Sequence, residues 1–211
     1  MHTHRTHLLD LLAPLLGILL AGCPSLSTLH TARTTPLGKT EVGVNAALYG
    51  VRSQDGADGA LPTAEFQLRY GLSETVDMGV KVYPFGVGLD ANLMFEAADG
   101  VVLSVNPGVN LIRFEGNDSS LTFTYLWLPL LADVIQGKAA TVTIGARVGY
   151  AIISGSGSGG SDMATGVLYG GMLGIKLRAG ERFAIMPELD LIRGTGSDSA
   201  TLYNAGVAFL F

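Results

Sequence analysis

An all-β chain folded as an antiparallel, up-and-down barrel that crosses a membrane is expected here, on three grounds. The 211 residues are 48% hydrophobic and only 15% charged, with a mean hydropathy of +0.39, whereas a soluble domain carries about 25% charged residues. From Thr40 onward apolar and polar residues alternate with period two, and no stretch has the spacing of an amphipathic helix. The alternating stretches come close to the ~9–11 residues that a tilted strand needs to cross a bilayer, and turn residues separate them. Ten strands are expected, with eight or twelve as alternatives if the region around Pro129 is read differently. The net charge of −5 provides no basic surface for nucleic acid, and the single cysteine excludes an intrachain disulfide.

The chain opens with a targeting segment over residues 1–22. Arg5 and three histidines precede an apolar run at 11–20 (LLAPLLGILL), which is too short to span a bilayer of ~30 Å as a helix and so reads as an export signal. The run ends in Leu20-Ala21-Gly22-Cys23, which resembles the lipobox of bacterial lipoproteins. That resemblance implies acylation of the Cys23 thiol and cleavage before it; an ordinary signal peptide with an incidental cysteine is the plainer alternative. Lipidation also accounts for a lone cysteine in an oxidising compartment. Pro24 follows the cysteine where inner-membrane retention would, by resemblance, favour Asp, so the implied destination is the outer membrane. Residues 23–39 are polar, rich in Ser and Thr and aperiodic, and are expected to be a lipid-anchored flexible tether.

The barrel is expected over 40–211, with strands at 40–50, 62–71, 75–84, 88–97, 101–114, 121–134, 140–153, 164–178, 182–194 and 200–211. Alternation carries each of them. In the second, Ala64, Phe66, Leu68 and Tyr70 oppose Thr63, Glu65, Gln67 and Arg69; in the third, Val76, Met78, Val80 and Val82 oppose Asp77, Gly79 and Lys81. The seventh sets Val142, Ile144, Ala146 and Val148 against Thr143, Gly145 and Arg147, and the ninth sets Phe183, Ile185, Pro187 and Leu189 against Glu188 and Asp190. Pro187 lacks an amide donor and implies a bulge or a local irregularity. In the sixth strand, LWLPLLADVI at 126–135 interrupts the pattern around Pro129, which fits a bulged strand end or a short apolar plug contact. Turns at 71–74, 98–100, 136–138 and 179–181 are short, and most opposite connections, including a Gly/Ser loop at 154–162, are longer and polar. A polar face of Thr, Ser, Asn and Gly with few charges suits a narrow lumen better than a water-facing exterior. Tyr70, Trp127 and Phe211 at one set of strand ends and Tyr83, Phe123, Tyr150 and Tyr203 at the other are expected to form interfacial belts.

In the last strand Tyr203, Ala205, Val207, Phe209 and Phe211 share one face and the sequence stops at Phe211. This resembles the C-terminal signal read by the outer-membrane assembly machinery, and Arg69 to Gly79 resembles the strand, turn, strand unit of small bacterial outer-membrane barrel proteins. The resemblance covers residues 40–211 as a pattern. It implies outer-membrane lipid, the barrel assembly machinery and lipoprotein-processing enzymes as partners. The even strand number returns both barrel ends to the periplasmic side, where a lipid on Cys23 would insert.

No chemistry is legible in the strands. The one histidine after Cys23 is His30, in the expected tether, so neither Ser-His nor Asp-His machinery nor a zinc site is expected in the barrel wall, and no cofactor is implied. Charges on the polar face are Glu41, Glu65, Asp77, Asp90, Glu96, Glu188 and Asp190 against Arg69, Lys81, Arg147, Lys176 and Arg178. They are expected to pair across the lumen and block it, because an unpaired buried charge is strongly disfavoured. Glu188 and Asp190 could instead form a paired-carboxylate site or a cation step in a pore. The expected role is a non-enzymatic envelope scaffold or presenter of surface loops. A small-solute pore, a barrel enzyme on lipid or glycan, and a soluble lipoprotein whose barrel holds a ligand are the alternatives; the last requires the apolar face to point inward.

Overall fold

The computed structural model describes residues 27–52, 58–98, 100–116, 119–157, 160–180, 182–195 and 201–211; the export signal and Cys23 lie outside them. Alternation of branched and aromatic residues with small polar ones favours extended backbone, and each such segment forms a strand. In chain order these are β1 (Thr40–Arg52), β2 (Asp58–Gly71), β3 (Val76–Tyr83), β4 (Gly86–Ala98), β5 (Val101–Val105), β6 (Gly108–Glu115), β7 (Ser120–Gln136), β8 (Ala140–Gly157), β9 (Gly160–Arg178), β10 (Ala184–Gly194) and β11 (Thr201–Leu210). Neighbours in sequence pair antiparallel, β5 and β6 excepted, and β1 pairs with β11 (Val44↔Phe209) to close the sheet. The closure extends to Phe211, whose amide donates to the Val42 carbonyl at 2.8 Å.

The barrel has ten staves, because β5 and β6 lie end to end between β4 and β7. Val105↔Leu130 and Gly108↔Trp127 share one register, so the expected segment 101–114 is one stave, interrupted where Pro107 has no amide to donate. Asn106 bridges the gap: its amide donates to the Pro129 carbonyl at 2.9 Å and its side chain to the Ala91 carbonyl at 2.8 Å.

The apolar face points outward. Phe66, Leu68, Tyr70, Met78, Val80, Val82, Leu126, Leu128, Leu130, Leu189 and Leu191 are all exposed on the barrel exterior, while Asn45, Gln67, Asn92 and Thr143 are buried inside. An exterior of that composition belongs in lipid, and it discards the soluble barrel with a greasy interior. Among the described residues no helix is long and apolar enough to cross a membrane. The ends of β1 and β11, with the turns at 72–75, 137–139 and 179–183, define the near mouth; the opposite rim is the far mouth.

Several local expectations are corrected. Pro129 does not break β7: Trp127, Pro129, Leu131 and Asp133 are buried while Leu126, Leu128 and Leu130 are exposed, and the bulge falls later, between Asp133 and Ile135. Both faces of this stretch are apolar, which masks the alternation in the sequence. At Pro187 the ladder to β9 skips from Ile185↔Leu177 to Glu188↔Gly174 in unchanged register, which makes it a gap. The Gly/Ser loop is mostly strand, since the β8–β9 ladder continues through Ser154↔Met163 to Gly157↔Gly160; backbone pairing needs no packed side chain to persist beyond the apolar band. Tyr83, Phe123 and Trp127 are not belt residues. They point into the far half of the lumen, where Phe123, Tyr125 and Trp127 stack at centroid separations of 6.4 and 5.8 Å. Gly149 provides the space: a Cβ there would stand 2.7 Å from the Trp127 ring.

The segment expected to be a free tether is the largest departure. Residues 27–32 and Thr35 are buried, and they lie inside the barrel.

A clamped segment in the lumen as the candidate functional site

The chain turns into the barrel at the near mouth. Leu37 pairs in parallel with Gly71, the Gly38 amide donates to the Gly71 carbonyl at 2.9 Å, and the Gly71 amide donates to the Lys39 carbonyl at 3.1 Å. Only a glycine fits this crossing, because a Cβ on Gly71 would stand 2.2 Å from the Pro36 carbonyl oxygen and 2.5 Å from that of Thr35. Both obstacles are backbone atoms, which cannot rotate away. Gly71→Ala is therefore expected to fold as a barrel yet displace the entering segment, raising conductance across a planar bilayer above that of the wild-type chain.

Inside, the wall carries more acid than base. Glu65, Asp77, Asp90, Asp133, Glu188 and Asp190 face Arg69, Lys81 and Arg147, six carboxylates against three cations among the described residues. Part of that surplus is matched by charge pairing. Arg69, on β2, lies between Asp77 and Asp90; it pairs with both, at 2.5 Å from Asp90, in a space left by Gly79, where a Cβ would be 2.6 Å from Nη1. Arg147 pairs with Asp190, which also accepts from Asn204 at 2.7 Å, and the guanidinium lies 5.9 Å from the Trp127 ring centroid.

Amide donors of the threaded segment match the rest. Glu188 accepts from the amides of Thr28 at 2.6 Å and Leu29 at 2.8 Å. Asp133 accepts from those of Ala32 at 2.9 Å and Arg33 at 3.3 Å, and from the Thr143 hydroxyl at 2.6 Å. Asp77 accepts the Thr35 amide at 2.6 Å. In the opposite sense, Lys81 donates to the carbonyls of Ser27 at 2.6 Å and Thr28 at 3.1 Å, and Asn92 donates to the Ala32 carbonyl at 3.3 Å. A buried carboxylate that accepts consecutive amides is stabilised without a counter-cation, which is why unpaired acids are tolerated here.

Side chains add a smaller share. Ser27 donates to Glu65 at 2.6 Å, a carboxylate that Tyr49 also reaches, and Arg147 donates to the Thr28 hydroxyl at 2.9 Å. Leu29 and Ala32 pack with Leu131, Met172 and Met186 in an apolar layer near the entrance, the plug contact that the 126–135 stretch suggested. A gap of about 30 Å³ beside Ser27, Thr28 and Trp127 leaves room for a water or two.

Most expected lumen charges are therefore in place, but not all of them. Glu65, Arg69, Asp77, Lys81, Asp90, Arg147, Glu188 and Asp190 converge inside; Glu41 and Lys176 pair at 2.6 Å on the near rim; Glu96 and Arg178 are exposed there. The last two sit where the staves leave the bilayer, and Arg178 instead donates to the Gly137 carbonyl at 3.1 Å. Glu188 accepts from the segment amides and Asp190 from Arg147 and Asn204, and the two carboxyl groups stand beside each other. Asp133 was missed. Its signal was available, since strict alternation from Trp127 places it inward. His30, expected outside the barrel, is buried in the lumen with Nδ1 against its neighbouring Thr31 carbonyl at 2.8 Å, closed off from both mouths. Among the described residues no group of three or more His, Cys, Asp or Glu side chains could hold a metal ion.

The face formed by Val207, Phe209 and Phe211 is exposed on the exterior, with Tyr203 half-buried over Gly50 of β1.

No family model matches the chain, and no curated protein matches it. Solved structures do. The outer-membrane protease OmpT from Escherichia coli is similar in fold at a TM-score of 0.52 and 8% identity, over 81% of this chain and 94% of OmpT. Neisserial surface protein A gives 0.45 at 10% identity, over 81% of this chain and 95% of that one. The translocator domain of the autotransporter NalP from Neisseria meningitidis gives 0.47 at 12%, over 96% and 95%. The likeness to OmpT is one of fold, the closed antiparallel barrel.

Proposed function

We propose that this protein is a non-enzymatic barrel of the bacterial outer membrane, lipid-modified at Cys23, whose lumen is kept closed by its own residues 27–35 and whose strands carry loops at the cell surface. The single observation behind this reading is the clamp: Glu188, Asp133, Asp77 and Lys81 bind the segment through its backbone across the width of the lumen. The β8–β9 hairpin supports the presenting role, because beyond Ile152 and Val167 its outward residues are polar or small apart from Met163, while the ladder continues to Gly157↔Gly160. Val207, Phe209, Phe211 and Tyr203 are assigned to recognition by the assembly machinery, and the lipobox to lipoprotein-processing enzymes.

A lipid on the periplasmic side would require residues 23–39 to be free as a tether. Ser27 inside the lumen opposes that arrangement. The pore alternative requires the clamped segment to leave. The discriminating test is planar-bilayer conductance of the refolded full chain, with heat-modifiable gel migration to establish folding. A folded, inserted and silent barrel is the expected result, and steady conductance in the wild type would place the pore first.

A further inference from the structure

The order of contacts along residues 35 to 27 gives the segment a direction. Thr35 is held by Asp77, one residue into β3 at the near mouth; Ala32 by Asp133; Thr28 by Glu188; Ser27 by Glu65 and Lys81. The segment climbs and does not turn back. Glu65 is six residues from the rim residue Gly71, which places it ~15 Å into the barrel for a strand rising ~3.3 Å per residue at a tilt of 35–45°.

Cys23 is four residues before Ser27, so ~14 Å of extended chain is the most that separates them, and Lys81, which holds the Ser27 carbonyl, is only two residues from the far end of β3 at Tyr83 but five from its near end at Val76. A return to the near mouth within that reach would pass through space already filled by residues 28–35 and by the apolar layer around Leu29 and Leu131. The far half is lined by aromatic rings, among them Tyr49 and Trp127.

We infer that residues 27–39 thread the barrel, that the chain preceding Ser27 leaves by the far mouth, and that the N-terminal side of the protein, with any lipid on Cys23, lies at the outer surface of the cell. This inference rests on the proposed outer-membrane reading, with the far mouth outside. It makes periplasmic anchoring through Cys23 and a filled lumen mutually exclusive.

The test is labelling of intact cells with a membrane-impermeant maleimide. Ser25→Cys is placed in the full chain, where acylated Cys23 does not react, beside two references: Ser119→Cys on the far connection and Lys138→Cys on a near turn, both exposed. Ser25→Cys is expected to label in intact cells to the same extent as Ser119→Cys, while Lys138→Cys labels only after permeabilisation. Labelling of Ser25→Cys only after permeabilisation, or in neither condition, overturns the threading. If Lys138→Cys labels in intact cells and Ser119→Cys does not, the assigned sidedness fails instead, and Ser25→Cys matching Lys138→Cys would then overturn the threading as well.

Discussion

Glu188→Ala combined with Asp133→Ala is expected to convert a silent barrel into a conducting one. The two carboxylates accept four consecutive-pair amides of the lumen segment, and a hydrogen bond to a charged group contributes about 1.5–3 kcal/mol. Their loss also leaves those amides buried and unsatisfied, so the segment gains by moving into water. A differential of on the order of 5 kcal/mol shifts a two-state equilibrium by roughly 10⁴, enough to turn a closed lumen into one that opens in bursts. Alanine at Thr31 and Thr34 serves as the comparison, since those side chains make no contact with the clamp carboxylates, and it should leave the barrel silent. Heat-modifiable migration separates an opened barrel from an unfolded one; if the double variant folds and remains silent, the clamp is not what closes the lumen.

Arg69→Ala is expected to be the most destabilising single substitution in the wall. The side chain is 1% exposed, and it bridges Asp77 and Asp90. Removing one partner of a buried ion pair leaves uncompensated charge and costs about 3–5 kcal/mol, read as a fall in the denaturant midpoint of the refolded barrel in detergent. The variant Arg69→Met with Asp77→Asn and Asp90→Asn removes the whole charge set and should recover most of that loss. Equal destabilisation of the two would show that packing of the Arg69 stem, not charge compensation, holds this part of the wall.

These two expectations depend on residues that were unequally visible beforehand. Arg69, Asp77 and Asp90 were legible because the polar face of an alternating strand must enclose its charges when the other face meets lipid. Glu188 was legible as a lumen acid, but not as a clamp, because its partners are backbone amides with no side-chain signature. Asp133 is legible only through strict parity from Trp127, because β7 is apolar on both faces, where inward Leu131 meets Leu29 of the segment and outward Leu130 meets lipid. Glu96 and Arg178 obey the same alternation as the network and yet lie outside it, since parity says which way a residue points and not whether its stave is still inside the barrel at that height.

Periodicity, low charge and turn spacing by themselves determined a closed antiparallel barrel with an apolar exterior, because a period of two admits only two faces and this composition lets only one of them meet lipid. The tertiary structure alone decided what fills the interior. Residues 27–35 have no periodicity to betray them, being mostly Ser, Thr and Ala with Leu29, His30 and Arg33 scattered among them. They are ordered by carboxylates contributed from four separate staves, an arrangement that exists only after the barrel has closed.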